Sequence, residues 1–178
     1  MTRFDLRRHS SVEPVLDTIV DVYTDVRAPL LDQPNYRPEV FAERLARHGA
    51  EPGWEAVLAY ADGQAVGYAY ANTVDSGDRW GDRMAEPLPV GFAESPTIAI
   101  KEIGVRTQWR RQGVARLMHD ELLAGRSEVR ATLLVNPEAF DGTVIALYRK
   151  WGYEAFNSQQ PSPDSPRLTA MTRPRRLG

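Results

Sequence analysis

The spacing of apolar positions changes several times along the chain, and each change predicts an element. Phe4-Asp5-Leu6-Arg7 alternates and predicts a short first strand. Ser11 is placed to cap a helix with Pro14 in its first turn, and Val12, Val15, Leu16, Ile19, Val20, Tyr23 and Val26 follow at helical spacing. Pro29 and Pro34 interrupt the pattern. A second helix is predicted from about Pro38, with Phe41, Leu45 and His48 on one face and Gly49 at its end. Segments 54–60 and 65–72 flank Asp62-Gly63, a strong hairpin signal. Residues 72–96 read as a long loop. They carry Asp75, Asp78, Asp82, Glu86 and Glu94 against Arg79 and Arg83, with Trp80 among them.

Beyond the loop, Thr97–Val105 reads as a strand. A helix should follow Gly113, with Val114, Leu117, Met118 and Leu122 inward and Gly125 past its end. Segment 129–135 is an apolar strand. Segment 143–151 is a helix with Val144, Leu147, Tyr148 and Trp151 on one face. Segment 167–172 supplies a last strand, and 173–178 a frayed basic tail. Strands and helices thus alternate in a mixed α/β order, without repeats, over a length that suits a single domain spanning 1–172.

Composition narrows the function classes. Of 178 residues, 42% are hydrophobic, enough for a sizeable core, yet no apolar run approaches the roughly 20 residues of a membrane span. The first nine residues have no apolar region of the kind a secretory signal needs, so none is expected. The chain has no cysteine, which excludes disulfides, thiolate metal sites and a cysteine nucleophile, and suits a reducing cytoplasm. A net charge of -2 argues against a nucleic-acid partner. With three widely separated histidines no metal site is expected, and all three are expected at the surface.

The most informative stretch is Val105-Arg106-Thr107-Gln108-Trp109-Arg110-Arg111-Gln112-Gly113-Val114-Ala115-Arg116, between a predicted strand and a predicted helix. The first turn of a helix leaves amide N–H groups without intrahelical partners, and with the helix dipole these form an anion site. Gly113 and Ala115 keep the surface small. Arg106, Arg110, Arg111 and Arg116 add four positive charges with no acid among them. A merely solvated, arginine-rich helix start would carry the same charges. Neither a Walker loop nor a dinucleotide-binding G-x-G-x-x-G is present.

Arg110-Arg111-Gln112-Gly113-Val114-Ala115 matches the (Q/R)-x-x-G-x-(G/A) signature by which the GNAT N-acetyltransferases bind the pyrophosphate of acetyl-CoA. Glu102-Ile103-Gly104-Val105 resembles the end of that family's fourth strand. The run from Asp141 through Leu147-Tyr148 to Gly152-Tyr153 resembles its N-x-x-A-x-x-L-Y-x-x-x-G-F segment. Asp141 stands where asparagine is usual, Val144 for alanine and Thr107 for a frequent proline; the aspartate is expected to cap its helix. The resemblance implies the GNAT fold, a mixed, mostly antiparallel sheet of six to seven strands. Its fourth and fifth strands would splay apart, and about four helices would cover both faces.

The resemblance also implies the chemistry. Main-chain groups at Ile103, Gly104 and Val105 would hold the pantetheine arm, with an N–H near Ile103 polarising the acetyl carbonyl. Segment 110–116 (Arg110, Arg111, Gln112, Gly113, Val114, Ala115 and Arg116) and Asp141 would complete the cofactor site. Tyr148 occupies the family's general-acid position, where it would protonate the departing thiolate. It also falls on its helix's apolar stripe, as a core tyrosine would. Glu102 is the expected general base, acting directly or through water; paired with Lys101 or an arginine it would be an ordinary surface glutamate. Asn136-Pro137 reads as a turn.

For the acceptor, the acidic loop favours a cationic small molecule, and Tyr36, Trp80 and Asp82 are the candidate contacts. The leading expectation is direct transfer from acetyl-CoA to a primary amine of a small molecule in a ternary complex. A protein or peptide acceptor and a non-catalytic acyl-CoA-binding module are the alternatives. No membrane partner is expected, and a homodimer is compatible with the resemblance.

Overall fold

In chain order the elements are β1 (Asp5–His9), α1 (Leu16–Val26), α2 (Pro38–Gly49), β2 (Glu55–Ala61), β3 (Gln64–Val74), β4 (Thr97–Val105), α3 (Val114–Leu123), β5 (Arg130–Val135), α4 (Thr143–Lys150), β6 (Glu154–Gln159) and β7 (Leu168–Pro174). The computed structural model describes residues 2–75 and 79–175, with the backbone alone at Arg79. Met1, the loop acid Asp78 and tail residues 176–178 lie outside the described residues. The strands form a seven-stranded mixed sheet in the order β1-β2-β3-β4-β5-β7-β6, with β4 and β5 parallel. Pairing of β4 with β5 runs from Thr97↔Arg130 to Ile100↔Leu133 and stops there, while β4 continues to Val105.

The chain divides into two compact units, and β3 and β4 each contribute to both. The first comprises Met1–Asn72 and Lys101–Arg126. Asp62 and Gly63 both take left-handed backbone, φ 49° and 79°, which closes the expected tight turn between β2 and β3. One face of that hairpin presents Ala56, Leu58, Tyr68 and Tyr70 to a core with Val15, Ile19, Val22 and Tyr23 of the α1 region and Phe41 and Leu45 of α2. Tyr23 and Phe41 stack at 3.7 Å. Gly49 ends α2 as expected, for a reason of space: a methyl there would lie 2.5 Å from Val12 Cγ1. On the other face, a methyl at Gly67 would lie 2.9 Å from Met118 of α3. With helices on both faces, β2 and β3 are buried almost throughout.

The second unit comprises Thr73–Ile100 and Ser127–Gly178. β7 pairs with both β5 and β6 in antiparallel register. The long loop is held down: Met84 bridges to Gln159, Ala85 N–H donates to Ser158 O at 2.8 Å, and Asn157 binds both the N–H and the C=O of Glu86. Trp80, Phe92 and Phe156 form an aromatic cluster, with Trp80 and Phe92 stacked at 5.9 Å.

Several sequence expectations need correction. Ser11 caps nothing: a 3-10 turn over Glu13–Val15 intervenes, and α1 starts at Leu16 without a side-chain cap. Leu117 and Leu147 point outward, 45% and 39% exposed. Val114, Met118 and Leu122 of α3 are buried as expected, and His119 and Leu123 join them in place of Leu117, so the buried face is shifted round the helix away from Leu117. None of the three histidines is a surface residue: His119 is fully buried, and His9 and His48 are half-buried. Asp141 does not cap α4. Phe140, Asp141 and Gly142 are all left-handed, at φ 50°, 55° and 80°, which makes Gly142 the N-cap residue. β6 was not anticipated by the apolar pattern, and Arg173 and Pro174, expected in the tail, belong to β7. Asn136 makes the expected turn, its side chain accepting from Glu138 N–H at 3.0 Å.

Candidate active site

In the first unit, the segment between β4 and α3 begins with a 3-10 turn over Thr107–Trp109. Arg111 then turns left-handed at φ 63° and Gly113 at φ 81°, and Gly113 is the N-cap of α3. No side chain caps this helix. Its first closure is Leu117 N–H to Gly113 O at 3.0 Å, so the amides of Val114 and Ala115 stand ahead of the intrahelical ladder. Gly113 is exposed, and a methyl on it would meet no atom within 4 Å. This is a run of main chain with donors at a helix start and space in front of Gly113, a geometry that fits an anion.

The four arginines divide. Arg106 turns inward: its Nε donates to Ala65 O at 2.9 Å, Nη1 to Asp25 at 3.1 Å and Nη2 to Asp21 at 2.5 Å. It therefore ties α1 to β3 beneath the turn, where the sequence reading counted it as an anion-binding charge. Arg116 pairs with Asp120 one turn along α3, at 2.7 Å. Acids do neutralise two of the four, one set arriving from α1. Arg110 donates from Nε to Val105 O at 3.0 Å, which pins its stem across the turn. The Arg111 side chain is exposed and makes no hydrogen bond or ion pair among the described residues.

Glu102, on β4 in the same unit, is enclosed, with 13% of its side chain exposed. Its Oε1 accepts from Tyr68 Oη at 3.0 Å and from Arg27 Nη2 at 3.4 Å, while Oε2 has no partner among the described residues. Tyr68 reaches it because residue 104 is glycine: a methyl there would lie 2.8 Å from the Tyr68 ring. Burial, then the Glu102 charge, holds the Tyr68 phenol well above its ordinary pKa, so it stays a donor. Burial acts against the Arg27 charge, but Glu102 with Tyr68 and Tyr23 outweighs it and raises the guanidinium pKa. Tyr36 sits beside them, its ring 6.0 Å from the Arg27 guanidinium carbon and its carbonyl accepting from Tyr23 Oη at 3.1 Å.

His48 faces the same tyrosines, its Nδ1 3.1 Å from Tyr70 Oη. Burial and the charges of Lys101, Arg47 and Arg44 lower its pKa to about 3, so it is neutral in the folded protein and Nδ1 accepts from the phenol. An unfolded histidine binds a proton below about 6.5. The stability gained by keeping it neutral is fully present above that pH and is lost as the pH falls from there toward 3. His48→Asn is therefore expected to lose less stability on acidification than the native chain. Linkage over the two pH units from 6.5 to 4.5 sets a ceiling of about 2.5 kcal/mol, and solvent screening of the half-buried ring brings the expected difference to about 1 kcal/mol, read as thermal midpoints diverging by about 2–4 °C.

In the second unit, Tyr148 lies half-buried on α4 with its ring edge-on to Trp151 at 5.5 Å and to Tyr153 at 5.9 Å. Asp141 is exposed in the left-handed turn before α4. Asp82 is exposed in the anchored loop, and Trp80 belongs to the aromatic cluster there. Among the described residues no group of three or more His, Cys, Asp or Glu could hold a metal ion. Nor is any helix among them long and apolar enough to cross a membrane.

The model of the acetyltransferase (GNAT) domain matches residues 52–155, more than half of the chain. The chain belongs to the GNAT acetyltransferase family. No curated protein gives a significant sequence match. Among solved structures, the fold is similar to that of the PaiA N-acetyltransferase of Thermoplasma acidophilum in complex with coenzyme A. That match has a TM-score of 0.60 at 12% identity and covers 97% of this chain and 99% of that one. It is also similar to the ribosomal-protein-S18-alanine N-acetyltransferase of Escherichia coli (TM-score 0.64, 15% identity, 98% and 96% covered). The aminoglycoside N-acetyltransferase AAC(6')-Iy in complex with CoA is a third (TM-score 0.59, 16% identity, 91% and 93% covered). At these identities the likeness is one of fold, and the family model supports the GNAT acetyltransferase class.

Two residues of the Glu102 cluster escaped the sequence reading. Arg27 follows the apolar stripe of α1 and looks like an ordinary helix-end cation. Tyr68 reads as one more apolar strand residue. Only the fold brings them 75 and 34 positions along the chain to Glu102.

Proposed function

We propose that this GNAT domain is an acetyl-CoA-dependent N-acetyltransferase acting on the primary amine of a small molecule, by direct transfer within a ternary complex. The observation that carries the reading is the left-handed turn at Arg111 and Gly113, which leaves the Val114 and Ala115 amides outside the helix ladder. Those amides, with Arg110, Arg111, Gln112 and Arg116, fit the pyrophosphate of the coenzyme. The main chain at Ile103, Gly104 and Val105 is the proposed hold on its pantetheine arm, and Asp141 a further contact. When bound, acetyl-CoA supplies an acetyl group activated as a thioester.

The remaining chemistry falls to the chain's own residues. Glu102 receives a proton at Oε2 from the incoming ammonium, its other oxygen being fixed by Tyr68 and Arg27. An N–H near Ile103 stabilises charge on the acetyl oxygen without any side chain. The freed amine nitrogen bonds to the acetyl carbon as the carbon–sulfur bond breaks; Tyr148 supplies its phenol proton to the departing sulfur, a base strong enough to take it, and the second proton lost by the nitrogen restores the phenol.

Enclosure of Glu102 favours a slender amine over a broad protein surface. Tyr36 is a proposed acceptor contact, and Trp80 and Asp82 are proposed contributions from the anchored loop. A panel of small amines, peptides and acetyl-CoA alone, followed by release of free thiol, tests the reading. Thiol release with small primary amines is expected; release with peptides alone, or binding of acetyl-CoA without transfer to anything, contradicts it.

A further inference from the structure

Two guanidinium groups of the first unit, Arg106 buried and Arg27 half-buried, differ in a telling way. Arg106 has an acceptor for each of its three nitrogens, two of them carboxylates. Such a group is spent on holding the fold. Arg27 makes a single bond, from Nη2 to Glu102 Oε1, and at 3.4 Å it is a long one. Its Nε is buried with no acceptor, and no partner for Nη1 exists among the described residues. A buried donor without a partner is costly, more so on a charged group, and native interiors seldom keep one. The side chain is nonetheless 29% exposed, so part of the fork can be reached from outside.

The guanidinium fork is matched to a carboxylate, which it binds through two parallel N–H bonds. Glu102 offers the complementary feature beside it, an Oε2 with no partner among the described residues. The surroundings are rich in positive charge. Arg44 lies close enough to act on Tyr23 and Tyr70, and Lys101, Arg47 and Arg44 all act against a charge on His48. Glu51 is already paired with Lys101 at 3.6 Å. An acceptor bearing only positive charge gains little in such a field. One bearing its own carboxylate is drawn in.

We propose that the acceptor is a small amino acid, its carboxylate held by Arg27 and its amino group received at Glu102 Oε2. The inference rests on the transferase reading above and narrows its substrate class; it replaces the cationic acceptor suggested by the acidic loop.

The test compares ω-amino acids of two to five carbons with their carboxamides, which keep the amine and lose the charge. With the full chain and saturating acetyl-CoA, kcat/KM is expected to favour the best acid over its amide by at least about tenfold, the scale of one charge-assisted contact. In Arg27→Gln the acid-to-amide ratio is expected to fall to near one, and Arg27→Lys to retain part of it. Calorimetric binding of the N-acetylated acid and its amide, with coenzyme A present, should show the same preference. Amides equal to acids in the native protein overturn the proposal. So does an Arg27→Gln variant that lowers both alike, since Arg27 would then act only by positioning Glu102. Should Arg27→Gln fail to fold, the native acid-to-amide ratios still decide. Transfer to uncharged amines without preference for the acids sinks this inference alone; absence of transfer to every amine sinks the transferase reading with it.

Discussion

Replacing Tyr148 with phenylalanine is expected to lower kcat by about 10²–10⁴-fold, the usual contribution of a general acid, while leaving acetyl-CoA affinity nearly unchanged. The substitution removes one hydroxyl and keeps the ring, so the edge-on contacts with Trp151 and Tyr153 survive. Any loss of stability should stay near the ~1 kcal/mol of a single hydrogen bond. Steady-state kinetics with calorimetry on the same variant separates the two roles of this residue. A fall in kcat at constant coenzyme affinity assigns proton delivery to the phenol. Unchanged kcat makes Tyr148 a packing residue of α4.

The second large effect is expected at Gly113. At φ 81° any L-residue is strained, by roughly 1–2 kcal/mol, so Gly113→Ala should lower the thermal midpoint by about 2–8 °C. Among the described residues no atom stands within 4 Å of the added methyl, so the folding cost is that of strain. Coenzyme affinity should fall by more than about tenfold, because the methyl stands before amides whose use needs close approach of the ligand. Gly125→Ala is the matched control. Gly125 lies past the other end of α3 at φ 73°, also with no atom within 4 Å of an added methyl. Its stability cost should be similar and its coenzyme affinity native. Equal losses of affinity in both variants would mean that backbone strain, and not the mouth of the helix, explains the Gly113 effect.

Legibility in the sequence followed the range of the interactions. The β2–β3 hairpin, β4 from Thr97 to Val105 and the start of α3 after Gly113 depend on neighbouring residues, on turn chemistry and on short-range period, and all lie where the pattern placed them. That α3 buries His119 and Leu123 beside the expected Val114, Met118 and Leu122, and exposes Leu117, depends on what the helix packs against, which periodicity over ten residues cannot resolve. The segment was read only as a long loop, and its anchoring was not legible, because Asn157 and Ser158, which hold it, lie some 70 residues away and carry no marker of that role. The site divides along the same line. The turn before α3, the proposed anion site, is a local motif and was legible. Arg106 was taken for part of that motif because its partners, Asp21 and Asp25, belong to another helix. Arg27 and Tyr68 were missed because a lone arginine after a helix and a tyrosine in a strand are commonplace until the fold sets them on Glu102.

Amide chemical shifts of residues 112–116, followed while coenzyme A or pantetheine is added to the chain, test the central claim most directly. Pantetheine has the arm and no phosphate. If main-chain donors at the start of α3 grip the pyrophosphate, the Gly113, Val114 and Ala115 resonances move most with coenzyme A and stay in place with pantetheine. Resonances that stay still while coenzyme A binds, or that move equally with both, contradict the account.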